Sequence, residues 1–365
     1  MIRILHVVGA RPNFMKTAPI MAVMAKRPEL FEQTLVHTGQ HYDANMSEAF
    51  FVDLELPKPD VTLGVGSGSH AEQTARVMTA IEPVILQRKP DLLMVVGDVN
   101  STLAAALVAA KLGIRVAHVE AGLRSRDRTM PEEINRILTD QIADVLFTTE
   151  ESGNENLAQE GIPADKIHFV GNVMIDSLVR SLPLAERSNV LDRLSLCAGR
   201  YVVVTLHRPF NVDQPETLRE ILTALCDLAR DLPVVFAVHP RTRERIAAMG
   251  FRAEGSGLRL IEPLGHIDFL RLYSASALVL TDSGGLQEET TYLRIPCVTL
   301  RPNTERPVTV RLGTNRLVAS EHRAILSAAR AGLDRAAPQQ EPPPLWDGHA
   351  ARRIVGALLC GDQKP

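Results

Sequence analysis

The stretch that decides the fold reads Ile2-Arg3-Ile4-Leu5-His6-Val7-Val8-Gly9-Ala10-Arg11-Pro12-Asn13-Phe14-Met15-Lys16. An apolar, β-branched run leads into a turn and then into a helical run. We interpret Ile2–Val8 as a strand, with His6 packed in the core. Such strands alternate with longer helical patterns almost throughout the chain. This alternation is typical of parallel sheets with helices on both faces, so we predict an α/β protein of two Rossmann-like, doubly wound domains.

Six strands are predicted in each half of the chain. The first six are Ile2–Val8, Thr34–Val36, Leu92–Val96, Arg115–Val119, Val145–Thr148 and Ile167–Val170. The second six are Tyr201–Thr205, Val234–Val238, Leu258–Ile261, Leu278–Leu280, Cys297–Leu300 and Arg316–Val318. The strand rhythm pauses between Asp176 and Arg200. We therefore predict domains over 1–175 and 176–340, followed by a proline-rich linker and a last helix over 341–365 that return to the N-terminal domain.

Size and composition agree with two globular domains. The 365 residues suit two domains of roughly 170–180 residues each. A hydrophobic content of 45% and a charged content of 23% permit sizeable cores. The net charge of −3 gives no reason to expect nucleic acid or a membrane surface as a partner, and no apolar run approaches the roughly 20 residues that span a bilayer. The four cysteines lie far apart and no signal-peptide pattern is present, so we expect a cytoplasmic protein without structural zinc or disulfides.

Chemically distinctive polar residues directly follow the apolar runs. These segments are Gly9–Lys16, His37–His41, Gly97-Asp98 and Glu120–Arg124 in the first half, and His207-Arg208, His239–Arg241 and Asp282–Gly285 in the second. In open α/β sheets, ligands bind outside the carboxyl ends of the strands, because loops and helix N-termini converge there. Any one segment could be an ordinary loop. Together they predict a ligand site in the cleft between the domains.

The segment Asp282-Ser283-Gly284-Gly285 has a specific physical meaning. It follows a predicted strand and opens a helical run, so its backbone N–H groups and the helix dipole of about half a positive charge would bind a pyrophosphate. The same residues could instead form an Asp-Ser N-cap with a glycine turn. Glu288 and Glu289 follow one turn later, where they would either accept ribose hydroxyls or lie in solvent.

Two further groups of charged residues can each be interpreted in two ways. Arg11 and Lys16 flank the first strand-to-helix turn and could both reach phosphate oxygens, although Lys16 could equally be a surface charge. Pro131 stands where a helix starts, with Glu132 and Glu133 in its first turn. Structure alone would explain acids at that position.

Two segments are compatible with either structure or binding. Gly64–His70 is rich in glycine but follows no convincing strand, so we interpret it as a loop before a helix over 71–87 rather than as a phosphate loop. Phe269 lies in a helical pattern over 266–276, where it would either join the core or stack on a base.

Taken together, these residues resemble the non-hydrolysing UDP-N-acetylglucosamine 2-epimerases. The resemblance runs from Gly9 to about Gly313 and rests on Gly9-Ala10-Arg11-Pro12 with Lys16, Gly97-Asp98, His118-Val119-Glu120-Ala121-Gly122-Leu123-Arg124, Pro131–Arg136, His207-Arg208, Thr281–Glu289 and Thr304-Glu305-Arg306-Pro307. It implies a glycosyltransferase-B-like fold, a homodimer, a UDP-sugar substrate, and neither a metal nor a nicotinamide cofactor.

The resemblance also implies a role for each matching residue. Asp98, Glu120 and Glu132 would be the acid/base carboxylates, while Lys16 and His207 would face the sugar and the diphosphate. Phe269 would lie beside the uracil. The remaining contacts to UDP would come from Arg11, His239, Ser283, Gly284, Gly285, Glu289 and Arg306.

The chemistry explains why such residues are needed. The proton on C2 of the sugar has no adjacent carbonyl, so its direct removal would leave an unstabilised carbanion. Elimination of UDP to a glycal, followed by re-addition, avoids this carbanion. That route requires protonation sites on both faces of the sugar and a cationic pocket that retains UDP. Which carboxylate is acid and which is base stays open.

The chain departs from the family pattern at two segments. It has Gln40-His41-Tyr42-Asp43 where many relatives have Gln-His-Arg, in a region that, with Arg76, would form a regulatory site for a second UDP-sugar. It has Pro209-Phe210-Asn211 where others have Arg-Glu. Both departures occur in a branch that includes epimerases of diacetamido-uronic acid nucleotides. The residues are also compatible with a hydrolysing epimerase, a glycosyltransferase of the same fold and a non-catalytic nucleotide-sugar sensor.

Overall fold

A computed structural model describes residues 1–39, 56–253, 255–334 and 341–361. The chain divides into two compact units. Unit 1 contains the described residues of Met1–Val179 and Pro344–Pro365, and unit 2 those of Arg180–Pro343. Each unit is built around its own parallel sheet, so each is described by itself.

The sheet of unit 1 has seven strands among the described residues, in the order β3-β2-β1-β4-β5-β6-β7. Every neighbouring pair is parallel. The strands are β1 (Ile2–Val8), β2 (Phe31–His37), β3 (Val61–Thr62), β4 (Leu92–Val96), β5 (Arg115–Ala121), β6 (Val145–Thr148) and β7 (Ile167–Phe169). The sequence order reverses between β1 and β4, which makes their carboxyl ends the topological switch point of this sheet.

Helices connect these strands. In order along the chain they are α1 (Arg11–Met24), α2 (His70–Arg88), α3 (Asn100–Lys111), α4 (Pro131–Ile142), α5 (Glu151–Gln159) and α6 (Val173–Glu186). A short 3₁₀ helix (Ala164–Lys166) precedes β7, and the unit boundary falls within α6. The last helix, α15 (Ala350–Gly361), also belongs to unit 1. Its residues Ala350, Ile354 and Leu358 join the core formed by β1, β4 and β5.

The sheet of unit 2 has six parallel strands among the described residues, in the order β10-β9-β8-β11-β12-β13. They are β8 (Val202–Thr205), β9 (Val234–Ala237), β10 (Leu258–Ile261), β11 (Leu278–Thr281), β12 (Cys297–Leu300) and β13 (Asn315–Val318). The helices are α7 (Val190–Arg193), α8 (Pro209–Val212), α9 (Pro215–Leu228), α10 (Pro240–Ala248), α11 (His266–Ser274), α12 (Gly284–Leu293), α13 (Val308–Arg311) and α14 (His322–Leu333). The switch point of this sheet lies between β8 and β11.

All twelve predicted strands are present, with ends that differ by at most a few residues. The strand β3 was not predicted, because its two residues, Val61 and Thr62, are too few to show a strand period. This strand precedes the glycine-rich segment 64–70, which is irregular up to Ser69 and whose last residue, His70, begins α2. The core position of His6 is also confirmed, since this residue is 1% exposed.

Candidate active site

In unit 1, the predicted catalytic residues lie at and beside the carboxyl ends of β1, β4 and β5. Glu120 is the penultimate residue of β5, and the pairing of β5 with β6 shifts register between Val119 and Ala121. The backbone of Glu120 has φ 72°, a left-handed conformation that costs free energy for a residue other than glycine. The irregularity interrupts the regular pairing of the strand at Glu120. Backbone strain of this kind is often found at active sites.

Glu120 forms a buried ion pair with Lys16. The Lys16 ammonium contacts Glu120 Oε2, and the two side chains are only 7% and 4% exposed. Gly97 lies directly against the pair: a Cβ on Gly97 would be 3.0 Å from Lys16 Nζ and 3.3 Å from Glu120 Oε2. Lys16 is therefore not a surface charge. The structure brings it together with Glu120 and with the turn that precedes Asp98.

Asn13, which the sequence analysis did not select, fixes the helix that carries Lys16. Its Oδ1 accepts hydrogen bonds from the backbone N–H groups of Gly9, at 3.1 Å, and Ala10, at 2.9 Å. Its Nδ2 donates to the Val96 carbonyl at 2.8 Å. A single buried amide thus joins the turn after β1 to the end of β4. The asparagine directly after Arg11-Pro12 was the available sequence signal.

The two acids at the start of α4 have different surroundings. The Glu133 carboxylate is buried and accepts the backbone N–H groups of Ser125 and Arg126, each at 2.9 Å, and the Arg136 guanidinium at 2.8 Å. Glu133 therefore has a structural role. Glu132 is partly exposed, and within the described ranges no hydrogen bond or ion pair engages its carboxylate. Of the two, only Glu132 has a side chain available for acid/base work.

Asp98 is held on two sides. Its carboxylate pairs with the Arg136 guanidinium and remains 26% exposed. Its backbone carbonyl accepts the Asn135 amide at 2.9 Å. Both partners come from α4, the helix that also carries Glu132. Helix α4 therefore carries one predicted carboxylate, Glu132, and holds the other, Asp98, by two of its side chains.

In unit 2, Asp282 and His207 meet at the switch point between β8 and β11. Asp282 is fully buried and accepts the backbone N–H of His207 at 3.1 Å, the backbone N–H of Arg208 at 2.9 Å and the Asn211 amide at 3.0 Å. His207 Nδ1 lies 3.0 Å from Asp282 Oδ1, while the imidazole is 53% exposed. Burial alone would raise the pKa of Asp282, but its hydrogen bonds and the charge of His207 hold that pKa below its usual range. An ionised Asp282 thus orients His207 with Nε2 directed away from the aspartate.

These contacts show whether the segment Asp282–Gly285 caps α12 with its side chains. Ser283 is the N-cap of α12, but its side chain makes no capping hydrogen bond, and Asp282 is directed to the His207 loop instead. The alternative interpretation, an Asp-Ser side-chain cap, is therefore not what these residues form. The N-terminal N–H groups of α12 are not capped by a side chain, which suits anion binding.

Arg306 lies against the start of α12. A Cβ on Gly284 would be 2.6 Å from Arg306 Nη1, so glycine is needed there to admit the guanidinium. The guanidinium contacts Glu305 and donates from Nε to Glu288 Oε1 at 2.7 Å. A second arginine, Arg301, pairs with Glu305 at 2.8 Å. The Glu288 carboxylate therefore fixes Arg306 and is buried, which contradicts its interpretation as a solvated acid.

Tyr273 contacts both Glu289, through its hydroxyl, and Phe269, through its ring. The Tyr273 hydroxyl donates to Glu289 Oε2 at 2.8 Å, and Glu289 is only 8% exposed. Burial, followed by the negative charge of Glu289, raises the pKa of Tyr273 well above its usual value, which keeps the hydroxyl as a donor. The partly buried Phe269 ring packs against Tyr273, with 5.4 Å between the ring centroids. A solvated Glu289 is therefore excluded, and the predicted contact of Phe269 with uracil stays a prediction.

Two predicted UDP contacts lie at exposed helix starts. Arg11 is the first residue of α1, and His239 is the N-cap of α10. A ring nitrogen of His239 accepts the backbone N–H of Arg241 at 3.4 Å. Their contacts with a nucleotide remain predictions.

The predicted regulatory residues are only partly covered. Gln40 and His41 lie outside the described residues. Arg76 lines an open groove of about 440 Å³ with Gly64 and Val65, and donates to the carbonyls of Ser67 at 3.2 Å and Val65 at 3.4 Å. Arg76 therefore stabilises the glycine-rich segment, and its regulatory role is a prediction.

In the described part of the chain, no group of three or more His, Cys, Asp and Glu side chains is arranged to hold a metal ion. No helix among the same residues combines the length and apolarity needed to cross a membrane.

Two doubly wound parallel sheets, each with its polar residues at a switch point, place the protein in the glycosyltransferase-B-like fold class. The family model of UDP-N-acetylglucosamine 2-epimerase matches residues 24–359. The chain belongs to that family, whose reaction is an isomerisation.

Individual relatives match the chain along nearly its whole length. UDP-N-acetylglucosamine 2-epimerase of Methanocaldococcus jannaschii is 42% identical over 97% of this chain and 98% of its own. UDP-2,3-diacetamido-2,3-dideoxy-D-glucuronate 2-epimerase of Pseudomonas aeruginosa is 43% identical over 98% of this chain and 99% of its own. The crystal structure of the M. jannaschii enzyme in complex with UDP-GlcNAc and UDP superposes with a TM-score of 0.90 at 41% identity, covering 98% of this chain and 100% of that chain.

Proposed function

We propose that this protein reversibly interconverts UDP-N-acetylglucosamine and UDP-N-acetylmannosamine by eliminating UDP and adding it back. The M. jannaschii relative, which carries the name of this activity and has been crystallised with UDP-GlcNAc and UDP, supports the substrate class. The single observation that carries the mechanism is the buried Lys16–Glu120 pair beside the Gly97-Asp98 turn. This pair supports an acid/base role for Glu120, because a buried carboxylate lies there beside Gly97, the residue that precedes Asp98.

In the proposed reaction, a base removes the C2 proton while the C1–O bond to UDP breaks. The electron pair of the C–H bond becomes the C1–C2 double bond of a glycal, and UDP departs with the electrons of the C1–O bond. In the second step, a UDP oxygen adds to C1 and an acid delivers a proton to C2 on the opposite face. Atoms and charge therefore balance without an external oxidant or co-reactant.

The residues of unit 1 supply the acid/base groups in this proposal. Asp98, Glu120 and Glu132 come from three separate segments, as protonation on two faces of one carbon requires. Lys16 neutralises the charge of Glu120 in its buried setting, which a lone carboxylate would not tolerate.

The residues of unit 2 hold the diphosphate in this proposal. The start of α12, with Ser283, Gly284 and Gly285, would bind the phosphates through backbone N–H groups. Arg306 lies against the same turn, and His207 presents its imidazole from the neighbouring loop. Together they would retain UDP after it leaves the sugar, so that re-addition competes with escape.

A second candidate substrate is supported by one specific observation. The P. aeruginosa relative named for a diacetamido-uronate nucleotide is as similar to this chain as the relative named for UDP-N-acetylglucosamine, at 43% and 42% identity. The same elimination at C2 would serve both sugars, because their differences lie at C3 and C6. We also propose, on the family resemblance alone, a cytoplasmic homodimer that supplies sugars for envelope or capsular polysaccharides.

The proposal is tested by incubating the purified protein with UDP-N-acetylglucosamine in deuterated water and following the sugar by NMR. We expect reversible formation of the manno epimer with deuterium at C2. The same assay with the diacetamido-uronate nucleotide distinguishes the two substrates. Free N-acetylmannosamine with irreversible release of UDP would show a hydrolysing enzyme, and sugar transfer to an added acceptor would show a glycosyltransferase. Binding of UDP without deuterium exchange on either sugar would show a sensor and overturn the proposal.

A further inference from the structure

His118, in the middle of β5, lies in a closed hydrogen-bonding arrangement. Its side chain and that of Asp140, on α4, are fully buried. His118 Nδ1 is 2.7 Å from Asp140 Oδ1, and His118 Nε2 is 2.8 Å from the carbonyl oxygen of Gly97. Both ring nitrogens are therefore at hydrogen-bonding distance from oxygen atoms, and water does not reach either.

The chemistry of these partners fixes the protonation of the ring. A carbonyl oxygen only accepts, so Nε2 of His118 must carry a hydrogen. Burial by itself would raise the pKa of Asp140, but the charges and hydrogen bonds of His118 and Arg124 hold it below its ordinary value. Asp140 Oδ2 also accepts from the Arg124 guanidinium at 2.8 Å and from the backbone N–H of Gly122 at 3.1 Å, so Asp140 is an ionised acceptor and Nδ1 of His118 must carry a hydrogen as well. A histidine that donates from both nitrogens is an imidazolium.

The charges around this imidazolium are balanced, and all of them are buried except that of Glu160, which is partly exposed. Arg124 Nη2 pairs with Asp140 Oδ2 at 2.8 Å and with Glu160 at 2.6 Å. His118 and Arg124 thus contribute two positive charges, and Asp140 and Glu160 two negative ones. A neutral His118 would leave this group with a net negative charge in a setting where uncompensated charge is costly.

The arrangement joins the two loops that carry the predicted acid/base residues. On one side, His118 holds the carbonyl of Gly97, a residue with φ 68° that directly precedes Asp98. On the other side, Asp140 Oδ2 accepts the backbone N–H of Gly122 at 3.1 Å, two residues after Glu120. The His118–Asp140 pair therefore fixes the ends of β4 and β5 relative to each other.

We propose that His118 is a positioning residue that donates from both ring nitrogens as an imidazolium and, with Asp140, sets the separation of Asp98 and Glu120. It does not exchange protons with the sugar, because both of its nitrogens are occupied and buried. This inference rests on the proposed function for its kinetic consequence. Its structural part, the charge on His118, stands on the geometry alone.

The charge is tested in the intact wild-type protein. Histidine labelled with ¹⁵N on both ring nitrogens is incorporated, and the signals of His118 are assigned as those lost in a His118→Gln variant. At neutral pH we expect both nitrogens of His118 to show the shifts and attached protons of an imidazolium. Shifts of a neutral tautomer, with one nitrogen unprotonated, would overturn the proposal, whatever the kinetics of the variants.

The positioning role is tested by kinetics on His118→Gln and Asp140→Asn. We expect kcat to fall by about 10²-fold in each while KM and UDP affinity stay close to those of the wild type, because small displacements of catalytic groups cost rate rather than binding. A merely structural role would lower the melting temperature and leave kcat unchanged below it.

The matched control is His168→Gln on β7, a partly buried histidine of the same sheet outside this arrangement, which should keep its kcat. A folded His118→Gln or Asp140→Asn variant with wild-type kcat would overturn the positioning role. A wild-type protein that epimerises neither sugar would instead overturn the proposed function, so the two failures are distinguishable.

Discussion

At the scale of single residues, the buried Lys16–Glu120 pair is the most informative feature. Removing two charges from water is costly, and such pairs are rarely retained for stability alone. This pair lies at a strained backbone position and beside a glycine turn. Charge, strain and close packing at one point are features common at active sites, which agrees with the proposed role of Glu120.

We predict that Asp98→Asn, Glu120→Gln and Glu132→Gln each lower kcat by about 10²-fold or more, because an amide neither accepts nor delivers the C2 proton. UDP affinity, measured by calorimetry, should be retained. Glu155→Gln, at an exposed position on α5, is the matched control and should be fully active. Wild-type turnover in all three variants would contradict the assignment.

A second residue-scale prediction concerns His6. Burial lowers the pKa of this histidine from 6.5 to about 4. Between pH 6.5 and about pH 4 the folded state therefore binds fewer protons than the unfolded state. The contribution of the neutral His6 to the free energy of unfolding is fully present above about pH 6.5 and is lost as the pH falls. From about pH 7 to about pH 5, we expect the wild type to lose about 2 kcal/mol more unfolding free energy than His6→Met.

Urea unfolding of the two proteins at the two pH values measures this difference. The comparison with His6→Met removes the contribution of carboxylates, which titrate in both proteins. An equal loss in wild type and variant would show that His6 is not responsible for the pH dependence.

At the scale of elements, the start of α12 depends on one glycine. Ala at position 284 would place Cβ 2.6 Å from Arg306 Nη1 and 3.0 Å from Glu305 Oε1. Gly284→Ala should therefore displace the Arg306 guanidinium from the turn at the start of α12. We expect UDP affinity, measured by calorimetry, to fall about tenfold, or about 1.4 kcal/mol.

The matched control is Gly356→Ala in α15, where an added Cβ meets nothing within 4 Å. This change should leave UDP affinity unaltered and raise helix stability by about 0.5–1 kcal/mol. Undiminished UDP affinity in Gly284→Ala would rule out the proposed arrangement of turn and arginine.

Sequence periodicity placed the strands because a buried parallel strand is a continuous apolar run. The same reasoning missed β3, which is too short to show a pattern. Periodicity also does not show what the carboxylates of Asp282 and Glu133 bind. Both acids are buried. Asp282 binds backbone N–H groups of the distant His207 loop, and Glu133 binds those of Ser125 and Arg126 in the loop before α4, and no helix or strand period reports such contacts.

At the scale of the whole molecule, the last segment of the chain is anchored in unit 1. Trp346 is 2% exposed and donates from Nε1 to the carbonyl of Thr149 at 2.9 Å. Asp176 accepts the first backbone N–H groups of α15, from Ala350 at 3.0 Å and Ala351 at 2.8 Å. Gly171 leaves room for the segment, since a Cβ there would be 2.1 Å from the Leu345 carbonyl oxygen.

We predict that Trp346→Ala destabilises unit 1 by about 3–5 kcal/mol, because it leaves a large cavity and an unpaired carbonyl. Hydrogen-exchange mass spectrometry should show faster exchange in α15 and β6. Trp346→Phe, which keeps a buried ring but loses the hydrogen bond, should show a smaller effect. Unchanged exchange in both variants would show that the segment is not held by this side chain.

The sequence by itself determined the α/β class, the order of the strands along the chain and the family, because buried parallel strands and the motifs that follow them are local patterns. Tertiary structure decided which polar residues act together. Lys16 with Glu120, His118 with Gly97 and Asp282 with His207 are far apart in sequence and meet only where strands end side by side. Burial, charge pairing and backbone strain arise from those meetings, so no stretch of sequence could contain them.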